Sequence, residues 1–281
     1  MNHLEFLYRL PGMLCLGLLV LLSGCSKKNE SFNLRPNLNA ADDIVIAERG
    51  LVHTFNLLLR ANLDSNIIKT GHGMIDQALV AYIKTSNTFN FLYSGQRCAD
   101  SAIRYGIISI RLSGDFFTHG TSAKISFSGY TEDTHLFKGS DSLVNQGISA
   151  QGYLVMESIV DSLSISRDSV GRISWYSSLS YNIPPLIKFP PDSNSPVTMT
   201  GSAHGISSDS YQFSLQISSP LVDDLNCPWL RDGLMQVSIP GVDVPSGTIQ
   251  YMNSSKCDNR VTYDFQGNLF NWWINARKLS V

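Results

Sequence analysis

YQFSLQIS, residues 211–218, alternates without a fault. Tyr211, Phe213, Leu215 and Ile217 fall on one side of an extended chain, and Gln212, Ser214, Gln216 and Ser218 on the other. Successive side chains of a strand point to opposite faces, so the stretch reads as a strand with one face in a core and one in water. Strands of parallel sheets are buried on both faces and read as continuous apolar runs; strict alternation belongs to antiparallel sheets.

The same period of two runs outward in both directions. Ile108, Ile110 and Leu112 share a face, as do Met235, Val237 and Ile239, and shorter runs surround Ile125/Phe127, Leu163/Ile165, Ile173/Trp175, Leu179/Tyr181 and Val197/Met199. "ALVAYIK" and "TFNFL" flank Thr85-Ser86-Asn87, a hairpin signature. "PPLIKFPPDSNSP" (184–196) carries too many prolines for a central strand and reads as a long loop or a boundary. The expected fold is mainly β: an antiparallel β-sandwich-like arrangement or an extended meander.

One stretch is written twice. "IRYGIISIRLSGDFFTHGT" (103–121) and "LRDGLMQVSIPGVDVPSGT" (230–248) share Arg104/Arg231, Gly106/Gly233, Gly114/Gly241, Gly120/Gly247 and Thr121/Thr248, each pair 127 positions apart. Glycine is used where the chain needs positive φ, so the repeated unit reads as a strand–turn–strand corner rather than a catalytic motif. Two duplicated β halves, 71–183 and 197–281, are the corresponding expectation within a β region spanning 71–281.

Only one segment has helical period. Ile44, Ala47, Leu51, Phe55 and Leu58 form a stripe, with Asn39 as N-cap and Asp42 in the first turn. It predicts an N-terminal α-helix near 40–62, inside a helical segment 40–70, packed against a sheet. Gly50 weakens it by roughly 1 kcal/mol.

The chain opens MNHLEFLYRLPGMLCLGLLVLLSGC. The apolar run 10–22 is shorter than the roughly 20 residues that span a bilayer, and small residues follow it. "LSGC" is similar to a bacterial lipobox, which implies cleavage after residue 24 and lipidation of Cys25 with diacylglycerol and an acyl chain such as palmitate. An ordinary secretory signal, or a buried helix with a chance cysteine, are the alternatives. Residues 25–39 are polar, lack hydrophobic period and contain Pro36, and read as a flexible tether. The localisation that follows is the cell envelope, with the membrane reached through the anchor on Cys25. The resemblance to Gram-negative lipoproteins implies, with Ser26 after the lipidated Cys, outer-membrane delivery.

The formal net charge is −2, and loss of residues 1–24 removes one charge of each sign, Glu5 and Arg9. That argues against a nucleic-acid partner, which requires a basic face. With Cys15 lost and Cys25 acylated, Cys98, Cys227 and Cys257 remain in an oxidising compartment. Cys227 and Cys257 flank the second repeat copy and are the expected disulfide, leaving Cys98 as the odd thiol; three reduced cysteines are the alternative. No Cys-x-x-Cys or His pair points to a metal, and no cofactor motif is present.

There is no Gly-x-Ser-x-Gly, His-Glu-x-x-His, P-loop or Ser-x-x-Lys, and the histidines at 53, 72, 119, 135 and 204 are scattered. The protein therefore reads as no enzyme. Trp272-Trp273 is the one candidate ligand contact: on a strand one tryptophan enters the core and the other is left to stack on a sugar or anchor a protein.

The ending "CPWLRDGLMQVSIPGVDVPSGTIQYMNSSKCDNRVTYDFQGNLFNWWI", with its Cys…Cys-Asp-Asn module, and the midsection "IRYGIISIRLSGDFFTHGTSAKISFSGY" resemble uncharacterised Bacteroidota-type cell-envelope lipoproteins. The resemblance implies an envelope lipoprotein and brings no activity or ligand with it. The functional expectation is a lipid-anchored, non-catalytic binding module for a glycan or protein. A structural fimbrial or adhesin-type subunit is the alternative, and an enzyme of unknown class a third.

Overall fold

The structure, a computed structural model, describes residues 31–167, 171–185, 196–251 and 257–274. The described residues from 33 onward form one compact unit. Its helices are α1 (Arg35–Leu63) and the short α2 (Ser65–Thr70). The strands of its first half are β1 (His72–Ile75), β2 (Ala78–Ile83), β3 (Thr88–Arg97), β4 (Ile103–Leu112), β5 (Ser122–Glu132), β6 (His135–Ile148) and β7 (Leu154–Arg167). Those that follow are β8 (Gly171–Ile183), β9 (Val197–Ile206), β10 (Gln212–Asp223), β11 (Leu230–Ser238), β12 (Ser246–Tyr251), β13 (Arg260–Phe265) and β14 (Asn268–Trp273).

Among the described residues, the fourteen strands pair in chain order in one antiparallel meander, and β1 and β14 do not close it into a barrel. The expected alternation is present: Phe213, Leu215 and Ile217 are buried while Gln212, Ser214, Gln216 and Ser218 are exposed. β8 pairs directly with β9, so the sheet is continuous across the proline-rich connection, and the two candidate halves are joined in it. Most of that connection, 186–195, lies outside the described residues.

The sheet encloses α1. Its apolar stripe Ile44, Ala47, Leu51, Phe55 and Leu58 is buried as expected, and Phe55 stacks on Tyr181 of β8 at 4.0 Å between ring centroids. Several polar residues of α1 are covered too. Asn37 donates to the Val244 carbonyl at 2.7 Å, Asp43 accepts from the Ser208 amide at 2.6 Å, and Glu48 accepts from the Tyr251 hydroxyl at 2.6 Å. Arg49 pairs with Glu132 of β5. These partners come from both ends of the meander, so the helix is the core element around which the sheet curls. No helix among the described residues is long and apolar enough to cross a membrane.

Two expectations about the helix are corrected. It begins at Arg35, so residues 35–39 of the expected tether are helical, and the residue before the first turn is Leu34 rather than Asn39. The cause is Pro36, which falls in the first turn, where a missing N–H costs nothing and a fixed φ favours the helix. Gly50 also has a reason: a Cβ there would lie 2.5 Å from the Phe137 ring of β6, so alanine would suit the helix and not the packing.

The repeated stretches are both strand–turn–strand. Gly106 and Gly233 share a positive φ, +89° and +123°, and at both a Cβ would strike the neighbouring strand, 2.3 Å from the Gly129 carbonyl oxygen and 2.7 Å from Leu221 Cα. The turns differ. Gly241 is left-handed and its counterpart Gly114 is not; Gly120 is left-handed and Gly247 is not. The correspondence holds for the strands and stops at the loop.

Candidate functional site

With the interior filled by a helix, the surfaces left for a partner are the outer face of the sheet and the open seam. The outer face of β8–β14 is built by register. One transverse row runs Ser178–Ser202–Gln216–Gln236–Thr248–Asp264, one residue per strand from β8 to β13. The row beside it runs Tyr176–His204–Ser214–Ser238–Ser246. Side chains opposite one another on a face lie about 5 Å apart. The middle of the two rows forms a shallow open trough of about 790 Å³ lined by hydroxyl and amide groups, with His204 and Asp264. Neither row contains Lys, Arg or Glu. At one end the exposed Tyr176 ring stacks on His204, 5.2 Å apart and within 10° of parallel.

At the diagonally opposite corner stand the two tryptophans. Trp272 is half-buried and meets Tyr263 of β13 edge-on at 5.0 Å. Trp273 is 51% exposed and carries the Arg260 guanidinium 5.6 Å from its ring centroid. The alternation argument thus assigns Trp272 to the core side and Trp273 to the outer face. Asn271 and Thr262, hydrogen-bonded at 3.0 Å, lie between Trp273 and the trough.

The second concavity is a cleft of about 310 Å³ along one stripe of α1: Arg49, Val52, His53, Asn56, Leu57 and Arg60. Ile75 at the end of β1 with Asp76 after it, Ala99 and Asp100 after β3, the stretch from Asp223 at the end of β10 to Leu230 at the start of β11, and Ile274 after β14 frame it. It therefore lies where the meander stays open. Behind it sits a buried charge cluster. Arg104, fully buried, donates to Asp100 at 2.7 Å, to Glu132 at 3.0 Å and to the Tyr130 hydroxyl at 3.1 Å. Burial alone would raise Glu132; Arg104 and then Arg49 override it and hold the carboxyl well below the usual range. His53 accepts or donates at 2.9 Å with the Tyr93 hydroxyl, and burial with the Arg104 charge pushes it down to about 4, so it is neutral. The members pair mainly with one another, as those of a structural network do. Sequence reading missed it because its members are spread over α1 and five strands or turns.

Cys227 and Cys257 are joined, with Cα atoms 5.5 Å apart, and clamp the loop at the cleft mouth. Closing a 30-residue separation stabilises by roughly 3–4 kcal/mol in the chain-entropy model. Cys98 is free and buried, its thiol pushed up to about 11 by burial. Iodoacetamide should leave Cys98 unlabelled in the native chain and label it fully in urea; rapid native labelling would contradict its placement. Cys25 lies outside the described residues. Among the described residues, no group of three or more His, Cys, Asp or Glu is placed to hold a metal ion.

Compared with protein-family models, curated proteins and solved structures, the chain gives no match. The chemistry of these two surfaces carries the functional argument.

Proposed function

We propose that this is a lipid-anchored cell-envelope protein, tethered at Cys25 and delivered to the outer membrane, that acts as a non-catalytic binding module for a neutral glycan. The carrying observation is the outer face of β8–β14: two registered rows of hydroxyl and amide side chains between the Tyr176/His204 stack and Trp273. Hydroxyls and amides can donate and accept, matching sugar hydroxyls, and an exposed aromatic ring offers an apolar plane to a sugar face. The sparse charge of the face disfavours an ionic polymer. The resemblance to Bacteroidota-type envelope lipoproteins and the lipobox-like "LSGC" support the tether and location.

Affinity electrophoresis of the full chain through gels containing neutral polysaccharides tests the reading. Retardation by at least one polysaccharide is expected, and Trp273→Ala should weaken it about 30-fold or more, the loss of a stacked aromatic hot spot. Its thermal stability should stay near wild type because the ring is half exposed. No retardation by neutral polysaccharides, or retardation unaffected by Trp273→Ala, would contradict the reading.

The alternative of a structural subunit is favoured by one observation: β1 and β14 each pair on one side only among the described residues. An open edge is a template for another strand. Polymerisation that rises with concentration, followed by light scattering, would favour it over the monomeric binder.

A further inference from the structure

The seam cleft has a chemistry of its own, independent of the outer face. Most polar groups around it are paired within the fold. Asp223, Asn56 and Arg60 each carry an atom that is not. Asp223, the last residue of β10, is 4% exposed, and its Oδ2 has no hydrogen-bond partner. Asn56 reaches Asp223, yet its own Oδ1 is unpartnered. Arg60, one helical turn further, donates through Nη2 to the Leu225 carbonyl and leaves Nε unpartnered. All three residues line the same cleft.

A buried polar atom without a partner costs free energy, and where such atoms line an open cleft a bound molecule can supply the missing bonds. The set is specific: two acceptors, one a carboxylate oxygen, beside one cationic donor. An ammonium satisfies both acceptors with its N–H groups. A carbonyl or carboxylate oxygen attached close by accepts from Arg60 Nε. Val52, Leu57 and Trp229 provide apolar wall for a side chain. The volume of about 310 Å³ admits a single amino acid or a short peptide end. The disulfide Cys227–Cys257 and the turn at Asp76, whose carboxylate accepts from the Ala99 amide at 2.9 Å, hold the rim in place.

We propose that the seam cleft binds a free α-amino group together with its adjacent carbonyl, as presented by an α-amino acid or the amino terminus of a short peptide. Asp223 and Asn56 receive the ammonium, and Arg60 holds the oxygen.

The test is calorimetric titration of the full chain in detergent with alanine, alanyl-alanine, N-acetyl-alanyl-alanine and propionate. Alanine or alanyl-alanine should bind, and the comparison of the two distinguishes a free amino acid from a peptide end. The acetylated peptide and propionate, which lack the ammonium, should bind at least about tenfold more weakly. Asp223→Asn should weaken the better ligand by about tenfold or more while leaving the fold intact, since the amide oxygen can still accept from Asn56 and a buried charge is removed. Ala99→Trp, which fills the mouth and touches none of the three polar groups, should block binding as well. No binding of either free amine at millimolar concentration, equal binding of the acetylated peptide, or unchanged affinity in either variant would overturn the proposal. Polysaccharide retardation by the outer face should be unaffected by both variants, so the two sites fail or succeed separately.

Discussion

Arg104→Met should destabilise the protein by about 3–5 kcal/mol, the cost of leaving buried charges without their partner. Arg104 is fully buried and donates to Asp100, Glu132 and Tyr130, with Asp76 at 3.6 Å. Its removal leaves Asp100 and Glu132 facing each other's charge in a dry site. Lysine should not rescue, because a point charge cannot replace a planar fork bonded on several edges. The double variant Arg104→Met/Glu132→Gln should recover part of the loss, since it takes out one of the stranded charges. Urea unfolding of the three variants measures this. A loss under about 1 kcal/mol for Arg104→Met would mean that the cluster is hydrated and only peripheral.

A second large effect should come from pH. Burial raises Glu48, Asp141 and Asp223 to about 7 each, and Asp43 to about 6. For a carboxyl whose folded pKa exceeds its unfolded value, the folded state prefers the proton. The stability it contributes is complete below about pH 4 and is lost as pH rises through the folded value. Between pH 4 and 8 Glu48 alone should account for about 3 kcal/mol. His53 opposes this. Held down to about 4, it contributes stability present above the ordinary histidine range and lost as pH falls through 4. The difference between wild type and Glu48→Gln isolates the carboxyl: the variant should gain on wild type from about pH 4.5 up to about 7 and then level off, because an amide keeps the Tyr251 hydrogen bond without the charge. Chemical unfolding at five pH values reads the difference. A constant offset across the range would contradict a buried acid at Glu48.

Side-chain period made the strands legible. Phe213, Leu215 and Ile217, or Met235, Val237 and Ile239, announce their face locally, and a strand needs nothing else to be recognised. The enclosure of α1 was not legible. Asn37, Asp43 and Glu48 look like a solvent face, and the groups that satisfy them stand 207, 165 and 203 positions away. Pro36 was ambiguous for a different reason, since proline signals a tether and a helical first turn alike. The pairing of Cys227 with Cys257 could be anticipated from the strands they bracket. The outer-face rows could not, because Ser178, Gln216 and Thr248 become neighbours only once the register of five consecutive strand pairs is fixed. Trp273 is the exception among candidate site residues: simple alternation placed one of the two tryptophans outside, and the structure assigns which.

The binding face is tested most directly by hydroxyl-radical footprinting of the full chain with and without a polysaccharide that retards it. Reactive side chains report on both ends of the outer sheet. Trp273, Tyr176 and His204 mark the proposed face, while Met74, 62% exposed, and Tyr105, 51% exposed, mark the outer face of β1–β4. Polysaccharide should protect Trp273, Tyr176 and His204 and leave Met74 and Tyr105 unchanged. Protection at Met74 and Tyr105 with none at Trp273 would contradict the account and move the binding face to the other end of the meander.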